Sequence, residues 1–307
     1  MCPNDCRIGI NGKGFCGLVA NVEGRLTRMG GTVDKGILEW YYDALPTNCV
    51  AWWFCPGCSG AGYPKFAIKP SAETGFANLA VFYGACSLDC LFCQNWHYRR
   101  LSQELRPILS AEGLAEKADN HVSCICYFGG DPSVQMPHAL RTSELALERA
   151  KGEERIMRIC WETNGNMLPV FAEKAAELAF RSGGVVKFDL KAWDDNLYRA
   201  LCSVSNRPSI DNFRRIGEKY FDQRNEVPLL TASTLLVPGY VDAMEVENLA
   251  QFIAEVNPQI PYTLLAFCPQ YRMNDMPTTS RKQATECLEV AKKSLVKVRI
   301  GNVHLLS

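Results

Sequence analysis

From Leu79 onward the chain alternates short apolar runs with amphipathic stretches. The runs at Leu79–Gly84, Val122–Phe128, Ile156–Trp161, Val185–Leu190, Leu229–Val237, Tyr262–Phe267 and Val298–Ile300 have the length and side-chain content of buried strands. Between them, stretches around 111–119, 138–150, 168–181, 194–201, 209–221, 243–256 and 280–294 place apolar residues at helical spacing. This alternation predicts βαβ units and a mostly parallel α/β sheet. About six right-handed crossovers in succession curl such a sheet into a partial (β/α)6 TIM-like barrel. Residues 1–78 are different. Cys, Gly and Trp, with turn signals at Asn11-Gly12 and Pro56-Gly57, replace sustained periodicity there. The expected division is a cysteine-rich metal-binding lobe over 1–78 and a barrel over 79–307.

Charge narrows the partners. Lys plus Arg equals Asp plus Glu, 33 each, which excludes a broad basic surface for nucleic acid. The longest apolar stretches, such as Leu79–Tyr83, fall far short of the roughly 20 residues that cross a bilayer. No charged segment followed by an apolar one opens the chain, so the expectation is a cytoplasmic protein with no membrane partner. Cysteine changes the picture most. There are 15, of which nine lie in the first 93 residues. In a reducing compartment, thiols clustered at short spacings hold metal rather than disulfides.

Chemistry in such folds sits at the carboxyl ends of the strands. After the first strand come Cys86, Cys90 and Cys93, spaced C-x3-C-x2-C. Three thiolates on one loop can hold three corners of a 4Fe–4S cluster and leave one iron open. A zinc loop with His97 as fourth ligand is the competing reading. Tyr127-Phe128-Gly129-Gly130-Asp131-Pro132, Trp161-Glu162-Thr163-Asn164-Gly165 and Phe188-Asp189-Leu190-Lys191 follow the next three strands. Asp189 and Lys191 share one face of their strand, either as an ion pair or as contacts to a cofactor or substrate.

The C-x3-C-x2-C loop with Phe92 before its last cysteine resembles the signature of the radical S-adenosylmethionine enzymes. The segment from Asp189 through Asp195, Tyr198, Leu201 and Ser203–Asn206, with Thr234–Asp242, resembles their pyruvate formate-lyase activating-enzyme branch. The resemblance implies that Cys86, Cys90 and Cys93 bind the cluster and that S-adenosylmethionine chelates the open iron. Its reductive cleavage to a 5′-deoxyadenosyl radical would then abstract hydrogen from a protein or peptide. Gly129, Gly130 and Asp131 resemble the Gly-Gly-Glu motif that holds the amino group of S-adenosylmethionine, with Asp replacing Glu. By position, Phe92, Glu162, Asn164 and Asp189 become cofactor contacts, and Asp189 and Lys191 candidate catalytic residues. A low-potential donor of flavodoxin or ferredoxin type is implied as partner. A cobalamin-dependent C-methyltransferase acting on a peptide and a non-catalytic metal-binding interaction module are the alternatives.

Six further thiols lie in the lobe: Cys2, Cys6, Cys16, Cys49, Cys55 and Cys58. They are expected to form a second site for iron, zinc or an iron–sulfur cluster, which would staple a region poor in regular structure. The first three resemble the amino-terminal segment of a subgroup of activating-enzyme relatives. Cys124, Cys126, Cys160, Cys202, Cys268 and Cys287 fall on predicted strands and helices and are read as core. Trp40–Tyr42 and Trp52–Phe54 are read as packing around the lobe. Gly12–Gly17 matches G-x-G-x-x-G, but no strand precedes it, so it is not a dinucleotide fingerprint.

Overall fold

The computed structural model describes residues 2–224 and 226–307. In chain order the elements are β1 (Val19–Val22), β2 (Arg25–Arg28), β3 (Gly36–Ala44), α1 (Pro56–Ser59), β4 (Ala77–Tyr83), α2 (Tyr98–Glu104), β5 (Ile108–Leu109), α3 (Ala111–Ala115), β6 (Val122–Phe128) and α4 (Met136–Gly152). They continue with β7 (Arg158–Thr163), α5 (Pro169–Ser182), β8 (Val186–Asp189), α6 (Asp195–Cys202), α7 (Arg207–Tyr220), β9 (Leu230–Leu236), α8 (Ala243–Val256), β10 (Tyr262–Ala266), α9 (Arg281–Lys292) and β11 (Val298–Gly301).

One nine-stranded sheet runs β11-β10-β9-β8-β7-β6-β4-β3-β5. The pairings from β4 through β11 are all parallel, so the seven expected strands form a continuous parallel array. It is mixed α/β, as the apolar pattern predicts. Helix ends follow local chemistry. The Asp242 side chain accepts from the Met244 and Glu245 amides to start α8, and Asp194 accepts from Leu197 N to start α6. The buried face of α8 carries Val246, Leu249, Ala250 and Ile253, spaced three and four apart.

The sheet does not begin at β4. Strand β3, in the segment without periodicity, pairs antiparallel with β4 from Leu38↔Tyr83 to Ala44↔Ala77, and β5 pairs with β3. The Trp40-Tyr41-Tyr42 triplet lies on this strand, with Tyr41 and Tyr42 exposed. Buried Gln135 secures β3 by accepting from Ile37 N at 2.9 Å and donating to Ile37 O and Gly84 O.

Residues on β6 alternate between two environments. Tyr127 hydrogen-bonds Ser143 of α4, so its face meets the helical layer. Cys124, Cys126 and Phe128 take the opposite, inward face. The segment between β3 and β4 is tied to that inward side. Arg158 on β7 donates to Phe66 O at 2.9 Å and forks onto Glu73, and Thr263 on β10 donates to Val50 O. At the far edge, Arg299 of β11 lies 4.6 Å from the Trp52 ring centroid. Among the described residues, no helix is long and apolar enough to cross a membrane.

Candidate active site

The loop after β4 carries Cys86, Cys90 and Cys93 and is tied into its surroundings through its backbone. Asp89 N donates to Cys202 O and Leu91 N to Leu201 O, both at the end of α6, while Arg272 N donates to Leu91 O. An Asp89–Arg99 ion pair braces the loop from outside. Cys86 and Cys90 are buried and Cys93 is half-buried. Burial pushes the Cys86 thiol well above its usual range and Cys93 up to about 11. Cys90 shifts the other way. Its hydrogen bond with Cys202, 3.5 Å between sulfurs, outweighs burial, and the Lys191 charge adds to the lowering. Cys202, read from sequence as core, is therefore part of this site's surroundings.

The next strand ends converge on the same space. Gly129 and Gly130 have φ of 62° and 51°, in the left-handed region that favours glycine. Close packing against β4 demands glycine as well, because a Cβ on Gly130 would lie 2.2 Å from Tyr83 O. Asp131 is buried, and three donors engage its carboxylate. It accepts from Ser133 N at 2.8 Å, Asn164 N at 2.7 Å and the Thr163 hydroxyl. The shortened carboxylate thus stitches the β6 loop to the end of β7. Asn164 Nδ2 reaches Cys86 Sγ at 3.5 Å, and its Oδ1 accepts from Ser87 and Asn166.

At the end of β8, Lys191 forms an ion pair with Asp189 and lies 5.6 Å from the Phe92 ring centroid. Burial opposes the Lys191 charge, but Asp189 and the Cys90 thiol overcome it and raise its pKa. Glu162 accepts from Lys187 Nζ at 2.6 Å. Cys86, Cys90, Phe92, Cys93, Gly129, Gly130, Asp131, Glu162, Asn164, Asp189 and Lys191 all line one cavity of about 230 Å³. The donors suit a cluster and a polar cofactor. Three thiols occupy one part of the lining, and Asp189 Oδ1 is buried with no hydrogen-bond partner among the described residues. An acceptor left unused at a cavity wall invites a ligand donor.

The six lobe thiols fall into two groups. Cys6 Sγ accepts from Phe15 N at 3.4 Å, beside Cys16, and both Cys2 and Cys16 pack against the main core. Asn4 ties that segment to the cluster loop by donating to Ser87 O at 2.7 Å and accepting from Asn166. Cys49, Cys55 and Cys58 lie elsewhere, around a second cavity of about 130 Å³ shared with Cys124, Cys126 and Cys160. Cys124 and Cys126 are buried, as expected of core residues, and with Cys160 they also line this cavity. The missed signal was C-x-C on β6, which puts two thiols on one face of a strand. His97 stacks on Phe82, ring centroids 4.4 Å apart.

A family model described as the radical SAM superfamily matches residues 80–253, more than half of the chain. An uncharacterised protein of Methanocaldococcus jannaschii is 24% identical over 99% of this chain and 80% of its own length. A second protein of that organism, named for glycyl-radical enzyme activation, is 30% identical over 37% of this chain and 42% of its own. Among solved structures, Streptococcus suis SuiB bound to S-adenosylmethionine aligns with a TM-score of 0.52 at 15% identity, covering 72% of this chain and 49% of SuiB. SuiB bound to its precursor peptide SuiA gives the same TM-score, over 72% and 47%. By this match the chain belongs to the radical S-adenosylmethionine superfamily, a family of enzymes that work with S-adenosylmethionine and an iron–sulfur cluster.

Proposed function

We propose that this chain cleaves S-adenosylmethionine reductively and uses the resulting radical to abstract hydrogen from a protein or peptide, as a glycyl-radical activase does. The observation that carries the reading is the convergence of Cys86, Cys90, Cys93, Gly129, Gly130, Asn164, Asp189 and Lys191 on one cavity. A 4Fe–4S cluster at the three thiols would supply the electron that splits the sulfonium into methionine and a 5′-deoxyadenosyl radical.

The protein's own part is positioning. Backbone groups of Gly129 and Gly130 hold the amino group of S-adenosylmethionine, and the Asp131 carboxylate fixes that loop against the end of β7. Asp189 Oδ1 accepts a hydrogen bond from the cofactor. Lys191, charged beside Cys90, offsets negative charge at the cluster. A low-potential flavodoxin- or ferredoxin-type protein delivers the electron. In this reading residues 79–307 are the catalytic barrel and residues 1–78 a metal-binding lobe. The peptide class is supported by SuiB, whose structure holds a precursor peptide, and by the relative named for glycyl-radical enzyme activation.

The test is isotopic. The reconstituted, reduced protein is given S-adenosylmethionine, hydroxocobalamin and peptides deuterated at glycine Cα. Deuterium in 5′-deoxyadenosine is the expected result. Absence of label from every peptide overturns the substrate class, and S-adenosylhomocysteine that depends on cobalamin would replace hydrogen abstraction by methyl transfer.

A further inference from the structure

We propose that the barrel interior holds a second metal centre, an iron–sulfur cluster bound by Cys55 and Cys58 together with thiolates drawn from Cys49, Cys124, Cys126 and Cys160. Barrel interiors are ordinarily filled by bulky branched side chains. Here the inward positions of β6 and β7 carry Cys124, Cys126, Arg158, Cys160 and Glu162, and beside them lies a cavity of about 130 Å³. Six thiols from three separate stretches of chain line that one space.

The thiols have little else to do. Among the described residues Cys58 Sγ reaches only Thr47 O, at 3.7 Å. Such S–H contacts are weak. A metal takes the place of the thiol protons and turns binding energy into folding energy. Cys55-Pro56-Gly57-Cys58 has the C-x2-C spacing of metal-binding turns. Lys187 supplies the counter-charge, its Nζ 3.2 Å from Cys126 Sγ and 2.6 Å from Glu162.

The shape of the site favours a cluster over a lone ion. Among the described residues no three Cys, His, Asp or Glu side chains are close enough to hold one ion. A tetrahedral zinc draws its sulfurs to about 2.3 Å from a single point. Thiols spread around a cavity instead suit several irons bridged by sulfide. The cavity also shares Phe128, Glu162 and Lys187 with the one lined by Cys86, Cys90 and Cys93, so the two centres would be neighbours.

Metal content tests this independently of any reaction. A variant with Cys2, Cys6, Cys16, Cys86, Cys90 and Cys93 all changed to Ala keeps every interior thiol. Purified without oxygen and reconstituted with iron and sulfide, it is expected to retain both, at about half or less of the wild-type content. Adding Cys55→Ala and Cys58→Ala should remove them. If the six-fold variant fails to fold by circular dichroism, the three-fold Cys86, Cys90, Cys93→Ala variant is compared with and without Cys55→Ala and Cys58→Ala. A folded protein free of iron and zinc overturns the site, zinc in place of iron overturns the cluster, and iron that survives the loss of Cys55 and Cys58 overturns the ligand set. Failure of the wild-type protein to form 5′-deoxyadenosine while it carries iron at both sites would count against the proposed function alone.

Discussion

At the residue scale, chemistry and packing ask for the same side chains. Gly130 is readable from sequence as part of a cofactor-binding turn. The structure adds that its left-handed φ of 51° and the approach of Tyr83 O leave no room for a Cβ. Gly130→Ala should therefore destabilise the fold by about 2 kcal/mol or more, from backbone strain plus overpacking. Urea unfolding checks this, and an unchanged midpoint would mean that the loop does not sit against β4. Asp131 was legible as the position of a family carboxylate but not in its role, because its partners Thr163 and Asn164 are distant in sequence. The same holds for Cys202 beside Cys90. A lone cysteine at the end of a helix gives no local sign that the cluster loop docks on it.

At the element scale, the parallel strands were legible because their apolar runs are continuous and bounded by turns. What could not be read was which inward positions of β6 and β7 meet which parts of the segment between β3 and β4. That segment is held by long-range polar contacts rather than by periodicity. The chief one is the Glu73–Arg158 pair at 2.6 Å, with side chains 0% and 1% exposed. Burial pushes the Glu73 carboxyl up, but its fork onto Arg158 wins and leaves the pKa lowered. Glu73→Gln should cost about 3 kcal/mol at neutral pH by leaving Arg158 short of its counter-charge. The sign of the pH dependence follows. A lowered folded-state pKa stabilises above the ordinary glutamate range, and that contribution is lost as pH falls through the folded value. The gap between wild type and variant should then close in acid. A gap independent of pH would show that charge is not what holds the segment.

At the scale of the whole molecule, the barrel and the family it implies were legible, while β3 and β5 were not. Strand β3 carries Trp, Tyr and Tyr in succession, with no clean alternation, and its pairing with β4 crosses more than thirty residues of irregular chain. The six N-terminal cysteines stood out in the sequence as candidate metal ligands, but only the fold separates those near Ser87 from those around the cavity shared with β6 and β7. The carboxyl ends of the parallel strands gather the candidate site into one cavity, which is where such folds build their chemistry. The central claim is that this cavity binds a cluster and S-adenosylmethionine together and cleaves the latter. The most direct measurement is 5′-deoxyadenosine formation by anaerobically reconstituted, dithionite-reduced protein given S-adenosylmethionine, with Cys90→Ala alongside. The account predicts the nucleoside from wild type and none from Cys90→Ala. Equal product from both, or none from a wild type shown to carry a full cluster, would contradict it.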